Sequence, residues 1–326
     1  MPKKAYNEYI TKTRDTFPKK EAKQMKKILS LILTLALLGC VVFSATSCNL
    51  FPAENLAAAY DKYAAELAFD DSACTETLTV AMSPDFAPME FYDLAKDEIV
   101  GFDVLLAKYL AKELNMKLVI DPMSFDACMA AVSTGAADLA ISGFSWTAER
   151  AETFLISDYY VAGENESDQI LITTAANQSK FTADMTDFSG MKIGAQGASL
   201  QELLANEQLT GATIELYKDL NTAVEALKTG DIDALAVAKG NGEAFAATSD
   251  DVVLTDFYFE VDELYKNNVI LLNKNDADLL AAVNAALAKA MAADLYTGWY
   301  EACQIYAEVK TIDELGYDDE GNKITE

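Results

Sequence analysis

Arg150 is the only arginine after residue 14; beyond residue 47 the chain has 15 lysines and this one arginine. A guanidinium is a planar fork that matches a carboxylate bidentately, whereas an ammonium is a point charge. Arg150 closes the run Ser142-Gly143-Phe144-Ser145-Trp146-Thr147-Ala148-Glu149. In that run Gly143 permits close approach to the backbone, Ser145 supplies a hydroxyl, and the N–H groups opening the next helix favour an anion. Two readings stand at this point: capture of a small carboxylate, or a structural ion pair with one of the many acidic residues.

Composition narrows the chemistry. None of the 326 residues is histidine, which removes Ser-His-Asp and Cys-His nucleophile systems, imidazole zinc sites and the usual general base near neutral pH. A formal net charge of −27 repels phosphate backbones and argues against a nucleic-acid partner. With 51% hydrophobic residues, 15 Gly and 6 Pro, the chain is neither disordered nor of low complexity. Its length calls for one large or two medium domains. Binding is favoured over catalysis, and no cofactor or metal is expected.

Charge is unevenly spread: residues 1–47 hold 9 basic and 3 acidic residues, leaving 16 against 49 in the remainder. Lys26-Lys27 leads into an uncharged apolar run from Ile28 to Phe43, then small residues 44–47, then Cys48. A basic patch, an apolar stretch and small residues make a secretory signal. Residues 1–24 are expected to be an upstream over-extension of a start at Met25. Cys48 resembles a lipobox cysteine, with Cys40 as its rival and an uncleaved membrane anchor as the alternative. The folded part is thereby placed on the extracytoplasmic face of the cell membrane, held by an N-terminal lipid. Cys74, Cys128 and Cys303 have no metal-ligand spacing, and nothing selects a disulfide pair among them.

Elements must position Arg150, and their pattern occurs twice. Leu56, Tyr60, Tyr63 and Leu67 at helical spacing suggest a helix or tether over residues 48–75. Strand-like runs cover Leu78–Met82, Lys117–Asp121 and Asp138–Ser142. An amphipathic helix carrying Phe102, Leu105, Leu106, Tyr109, Leu110 and Leu114 and a shorter one over Phe125–Val132 separate them. The order returns as strands Met191–Ala195, Thr213–Tyr217 and Asp233–Val237 with helices Ser199–Asn206 and Asn221–Leu227, and Ser199-x-x-Glu202 is a capping box. Ala131, Thr134, Gly135 and Asp138 fall 95 residues before Ala226, Thr229, Gly230 and Asp233. Such alternation predicts α/β units with mainly parallel sheets flanked by helices, in two lobes around a cleft. A late strand, Asn268–Leu272, and helical residues 276–306 are expected to return to the first lobe. Ligands bind outside the carboxyl ends of such strands.

Val80-Ala81-Met82-Ser83-Pro84-Asp85-Phe86-Ala87-Pro88-Met89-Glu90-Phe91, Val100-Gly101-Phe102-Asp103-Val104, the Ile141–Arg150 run, Ile156-Ser157-Asp158-Tyr159-Tyr160, Lys192-Ile193-Gly194-Ala195-Gln196 and Gly230-Asp231-Ile232-Asp233-Ala234 occur in this order. In these motifs the chain resembles the extracellular solute-binding proteins, family 3, over roughly residues 76–306. The resemblance implies a two-lobed periplasmic-binding-protein-like fold with a hinge, closing on a ligand carried to an ABC permease and ATPase, mostly polar amino acids. It divides the chain into a signal segment 1–47, a tether 48–75, lobe 1 over 76–168, lobe 2 over 169–265, a return to lobe 1 over 266–310 and an acidic tail 311–326.

The resemblance also makes Arg150 the clamp on the ligand α-carboxylate, with Gly143 and Ser145 beside it and Ser199 meeting the carboxylate from lobe 2. Phe86 resembles the aromatic wall over the ligand side chain and Trp146 is a further candidate; core packing is the alternative for both. Ser83 stands where polar-ligand relatives often have Asp, which disfavours a cationic ligand side chain. One departure concerns the ligand ammonium: relatives usually hold it with an Asp where this chain has Ala238. Either Glu243 replaces that acid from a glycine-flanked loop, or the ligand lacks a standard α-ammonium. A dehydratase-like enzyme on the same fold, for which Glu90 is the available acid, and a sensing lipoprotein without transport are the competing functions.

Overall fold

Leu78, Val80, Ala81 and Met82 are fully buried, and a strand apolar on both faces belongs inside a sheet covered on both sides. The computed structural model describes residues 53–94, 96–160 and 167–307. The expected signal segment, Cys40, Cys48 and the acidic tail lie outside the described residues. The chain opens with α1 (Ala53–Leu67), β1 (Thr77–Met82), the short strands β2 (Asp85–Phe86), β3 (Glu90–Asp93) and β4 (Glu98–Val100), α2 (Phe102–Leu114), β5 (Lys117–Pro122), α3 (Phe125–Thr134), β6 (Leu139–Ala140), α4 (Ala148–Thr153) and β7 (Leu155–Ile156). It continues with β8 (Gln169–Thr174), β9 (Lys192–Gln196), α5 (Leu200–Gln208), β10 (Thr213–Tyr217), α6 (Leu220–Thr229), β11 (Ala234–Ala238), α7 (Lys239–Thr248), β12 (Val252–Tyr258), β13 (Leu271–Leu272), α8 (Ala277–Ala292) and α9 (Leu295–Ala307).

Two five-stranded sheets result, β5-β1-β6-β13-β7 and β10-β9-β11-β8-β12, with β2-β3-β4 as a small antiparallel sheet. β1 runs parallel to β5 and β6, and β9 parallel to β10 and β11. β13 pairs antiparallel with β6 and β7, so the chain leaves the first sheet after β7 and re-enters it at β13. The 95-residue repeat has a physical content. Gly135 and Gly230 end α3 and α6 in the left-handed conformation, at φ 76° and 81°, where a side chain would be strained. Asp138 accepts the Thr79 N–H at 2.7 Å in one unit, and Asp233 accepts the Lys192 N–H at 2.9 Å in the other.

The stretch read as a helix or tether contains α1, which docks on the first lobe: Tyr60 is 3% exposed and its ring lies 5.3 Å from that of Tyr306. A Cβ at Gly298 would sit 2.5 Å from Tyr63 Oη, so α9 approaches α1 through a glycine. The helical stretch expected over 276–306 is there as two helices, parted where Asp294 takes φ 52°. One expectation needs correction: the loop expected after β11 is α7, whose Gly242 lies so close to the sheet that a Cβ there would meet Ile172 at 2.9 Å. Cys74, Cys128 and Cys303 are free thiols, with Cys128 and Cys303 buried.

Candidate functional site

The segments at and just after the ends of β6, β9 and β11 face an opening between the lobes, lined also by Phe86 of β2. Phe86, Gly143, Ser145 and Arg150 line it from the first lobe, and Gln196 and Ala238 from the second. Gly143 is required by geometry: its φ is +58°, and a Cβ would stand 2.5 Å from Phe86 Cε1. Phe86 packs against the cores of both lobes.

Arg150 is 6% exposed. Thr147 caps α4 by accepting the Arg150 N–H at 3.1 Å, fixing the backbone from which the side chain starts. Nη1 donates to Ser145 O at 2.6 Å, and Nη2 donates to Ala198 O, in the second lobe, at 2.9 Å. The guanidinium carbon lies 5.6 Å from the Phe125 ring centre and 5.2 Å from that of Phe144. Burial pulls its pKa down to about 10, so it is still a cation at neutral pH. Among the described residues no carboxylate forms an ion pair with it, which removes the structural-pair reading there. Among the described residues, two of its five N–H donors are bonded to carbonyls, and the other three are bonded to none of them.

Other expected residues sit differently. Ser199 caps α5 by accepting the Glu202 N–H at 3.1 Å and donates its own proton to Gln196 O at 2.7 Å. Its hydroxyl proton is therefore used within the protein, not offered to an anion. Ser83 donates to Asp85 Oδ1 at 2.7 Å and is buried. Trp146 packs with the Phe125–Phe144 cluster and does not line the opening. Glu243 is in the first half of α7, 3.9 Å from Lys239 Nζ one turn back, and does not line the opening either.

Residues that sequence reasoning missed complete the lining: Phe125, Ser142, Gln169, Leu200, Gln201 and Asn268. Gln169 is 3% exposed and stands directly opposite Ala238 in the β8–β11 register. Gln201 Nε2 donates to Gln169 Oε1 at 2.6 Å. Among the described residues no Asp or Glu lines the opening, although acids outnumber basic residues 52 to 25 in the chain.

Two carboxyls lie behind the floor. Glu90 and Asp103 are fully buried. Glu90 Oε1 accepts from the Ser142 hydroxyl, while Asp103 Oδ2 accepts from Gly143 N at 2.8 Å and Tyr160 Oη at 3.1 Å. Among the described residues Glu90 Oε2 and Asp103 Oδ1 have no other donor, and one proton held between the two carboxyls satisfies both. Burial, and then the Asp103 charge, hold Glu90 well above the usual 4.5; burial lifts Asp103 from 3.8 to about 7. Folded values above unfolded ones mean stability is full below about pH 4 and is lost as pH rises through about 7. The melting temperature is expected to fall between pH 5 and pH 8, by roughly 2–4 °C per kcal/mol lost, and Glu90→Gln to flatten that slope. Parallel slopes for variant and wild type would refute the shared proton.

The lobes also meet through Asp85, which lies at the start of β2 and is 7% exposed. Its Oδ2 accepts from Leu220 N, opening α6, at 2.7 Å and from Gln196 Nε2 at 2.9 Å. Asn241 Nδ2 donates across to Ala87 O at 3.1 Å.

A model of the bacterial extracellular solute-binding proteins, family 3, matches residues 78–302. Over 195 residues the chain is 31% identical to a probable histidine-binding protein of Campylobacter jejuni, covering 60% of this chain and 72% of that one. The amino acid ABC transporter substrate-binding protein AbpA of Streptococcus pneumoniae, in its crystal structure with L-arginine, aligns at 29% identity and a TM-score of 0.64, covering 72% of this chain and 97% of that chain. The crystal structure of AncCDT-1, an ancestral amino acid-binding protein and precursor of cyclohexadienyl dehydratase, aligns at 29% identity and a TM-score of 0.60, covering 69% and 94%.

Proposed function

This chain belongs to the bacterial extracellular solute-binding proteins, family 3, and we propose that it captures a carboxylated solute of the amino-acid type between its lobes and delivers it to an ABC permease and ATPase. The observation that carries this reading is Arg150: a buried guanidinium at the lobe junction, with donors to spare and no acidic partner among the described residues. Leaving such a charge unanswered is costly, and a ligand carboxylate answers it. In this reading lobe 1 comprises residues 76–168 and 266–310 and lobe 2 residues 169–265, with Gly143, Ser145 and Phe86 beside the clamp. The relatives include a probable histidine-binding protein and one crystallised with L-arginine. With Ser83 turned to Asp85 and no acid among the described residues that line the opening, a neutral polar side chain suits this pocket better than a cationic one.

Catalysis is not part of the proposal. Dehydration of a cyclic acid needs a general acid at the substrate, and Glu90 stands behind Ser142, outside the lining. Thermal-shift screening of the full chain against the L-amino acids tests capture, because ligand bound only to the native state raises the midpoint. Incubation with candidate cyclic acids tests the alternative: product formation would overturn the binding-protein reading.

The same reading holds the protein at the extracytoplasmic membrane face through lipid on Cys48. Cys48→Ala is expected to move the protein from the membrane fraction to the soluble fraction or to leave unprocessed precursor, since several acyl chains hold firmly where one does not. An unmodified N-terminus well beyond Cys48, seen by mass spectrometry of the wild type, would contradict it.

A further inference from the structure

We propose that Gln196 selects for a neutral ligand side chain that donates a hydrogen bond, and that the same amide ties this recognition to lobe closure through Asp85. This rests on the reading of the pocket as an amino-acid site. Gln196 ends β9 in the second lobe, is 5% exposed and lines the opening. Its backbone is pinned. The carbonyl accepts the Ser199 N–H at 3.3 Å and the Ser199 hydroxyl at 2.7 Å, and the residue stands beside Tyr217 in the β9–β10 register.

The direction of the amide follows from its neighbours. Nε2 donates to Asp85 Oδ2 at 2.9 Å and to Lys218 O at 3.3 Å, so both of its N–H bonds are in use. Asp85 accepts as well from Leu220 N and from the Ser83 hydroxyl, as an ionised carboxyl does. Turning the amide over would set Oε1 against a carboxylate and a carbonyl, neither of which can donate. Oε1 is therefore directed away from both, and among the described residues no donor meets it. In a side chain buried except where it lines the opening, that oxygen is the atom left for a ligand. A buried acceptor without a donor is costly, so the pocket penalises a ligand side chain that is apolar there or offers acceptors alone.

Closure enters through Asp85. β2 belongs to the first lobe and β9 to the second, so the bond between Asp85 and Gln196 exists only while the lobes are together. Hydrogen bonds in a chain polarise one another. The carboxylate drawing on Nε2 makes Oε1 a stronger acceptor, and a donor at Oε1 strengthens the bond to Asp85. A donor-bearing ligand thus favours the closed form by more than its own contact, whereas an acidic side chain meets the Asp85 charge behind the amide.

The test is calorimetry on the full chain with four pairs of L-amino acids of similar size, one member with a side-chain donor and one without. The pairs are glutamine and methionine, asparagine and leucine, threonine and valine, and histidine and phenylalanine, at about pH 8, where histidine is neutral. Wild type is expected to favour the donor-bearing member of each pair it binds by about 5- to 150-fold, and glutamine over glutamate by at least as much. Gln196→Met keeps the length and loses the amide. It weakens both members by breaking the bond to Asp85, and brings their ratio below about twofold. Asp85→Ala lowers the ratio part of the way, because the amide is then free to turn. Each variant is first shown by its thermal transition to be folded. A merely structural Gln196 would lower both affinities and leave the ratio as in wild type. Ratios near one in wild type, or a wild-type ratio that survives in Gln196→Met, would overturn the assignment while leaving the capture reading intact. So would a thermal-shift response to another amino acid with none to the four donor-bearing ones. If no L-amino acid binds the wild type, the capture reading falls and takes this assignment with it.

Discussion

Arg150→Ala is expected to weaken capture of a carboxylated ligand by roughly 30- to several-thousand-fold, the equivalent of the about 2–5 kcal/mol lost when a desolvated charge-assisted pair is truncated. The same substitution leaves the carbonyls of Ser145 and Ala198 without their donor and opens space between Phe125 and Phe144. A lower melting temperature is therefore expected as well. Arg150→Lys separates the two effects. It keeps a cation beside the aromatic rings but loses the planar fork, so most of the stability returns while most of the affinity does not. Calorimetry and thermal unfolding on both variants check this. Full affinity in Arg150→Lys would mean that charge alone, not fork geometry, holds the ligand.

Asp85→Ala is expected to act on closure more than on folding. Asp85 ties β2 of the first lobe to the amide that opens α6 in the second and to the Gln196 side chain. Burial raises its pKa, and the bonds from Leu220 and Ser83 oppose that rise. When the lobes part, water takes over the bonds to Leu220 and Gln196, so their loss falls on the closed state. Hydrogen bonds to a charged group contribute about 1.5–3 kcal/mol each; losing one reduces the closed population, and hence apparent affinity, by about 10- to 150-fold. Small-angle scattering of the ligand-free variant is expected to show a larger radius of gyration than wild type, with a faster ligand off-rate. Unchanged scattering and affinity would show that Asp85 is packing only.

Much of this arrangement was legible because local patterns and tertiary packing agree. The apolar stripe of α2 is buried as its spacing predicts, and the 95-residue repeat placed two helix caps and two strand-pinning aspartates. Arg150 stood out by residue type alone. What escaped was set by partners distant in sequence. β8 is a short apolar run whose strand identity comes from β11 and β12 on either side, so Gln169 went unnoticed although it faces Ala238. Lys239-Gly240-Asn241-Gly242 has loop composition, yet packing on the sheet makes it a helix, since a glycine costs only about 1 kcal/mol there and lets the backbone come close to Ile172. Ser83 and Ser199 have the right hydroxyls at the right strand ends, but each serves a neighbour two or three residues away, Asp85 in one case and Gln196 in the other. Hydroxyl direction depends on those neighbours and is not encoded in the residue type.

The most direct test of the central claim is isothermal titration of the full chain with the L-amino acid that stabilises it most in the thermal-shift screen, run in parallel on Arg150→Ala. Saturable binding with one site per chain is expected for the wild type, and for the variant an affinity weaker by at least about 30-fold. Saturable binding of the same amino acid to Arg150→Ala within about threefold of the wild-type affinity, a difference of less than about 0.7 kcal/mol, would contradict that claim.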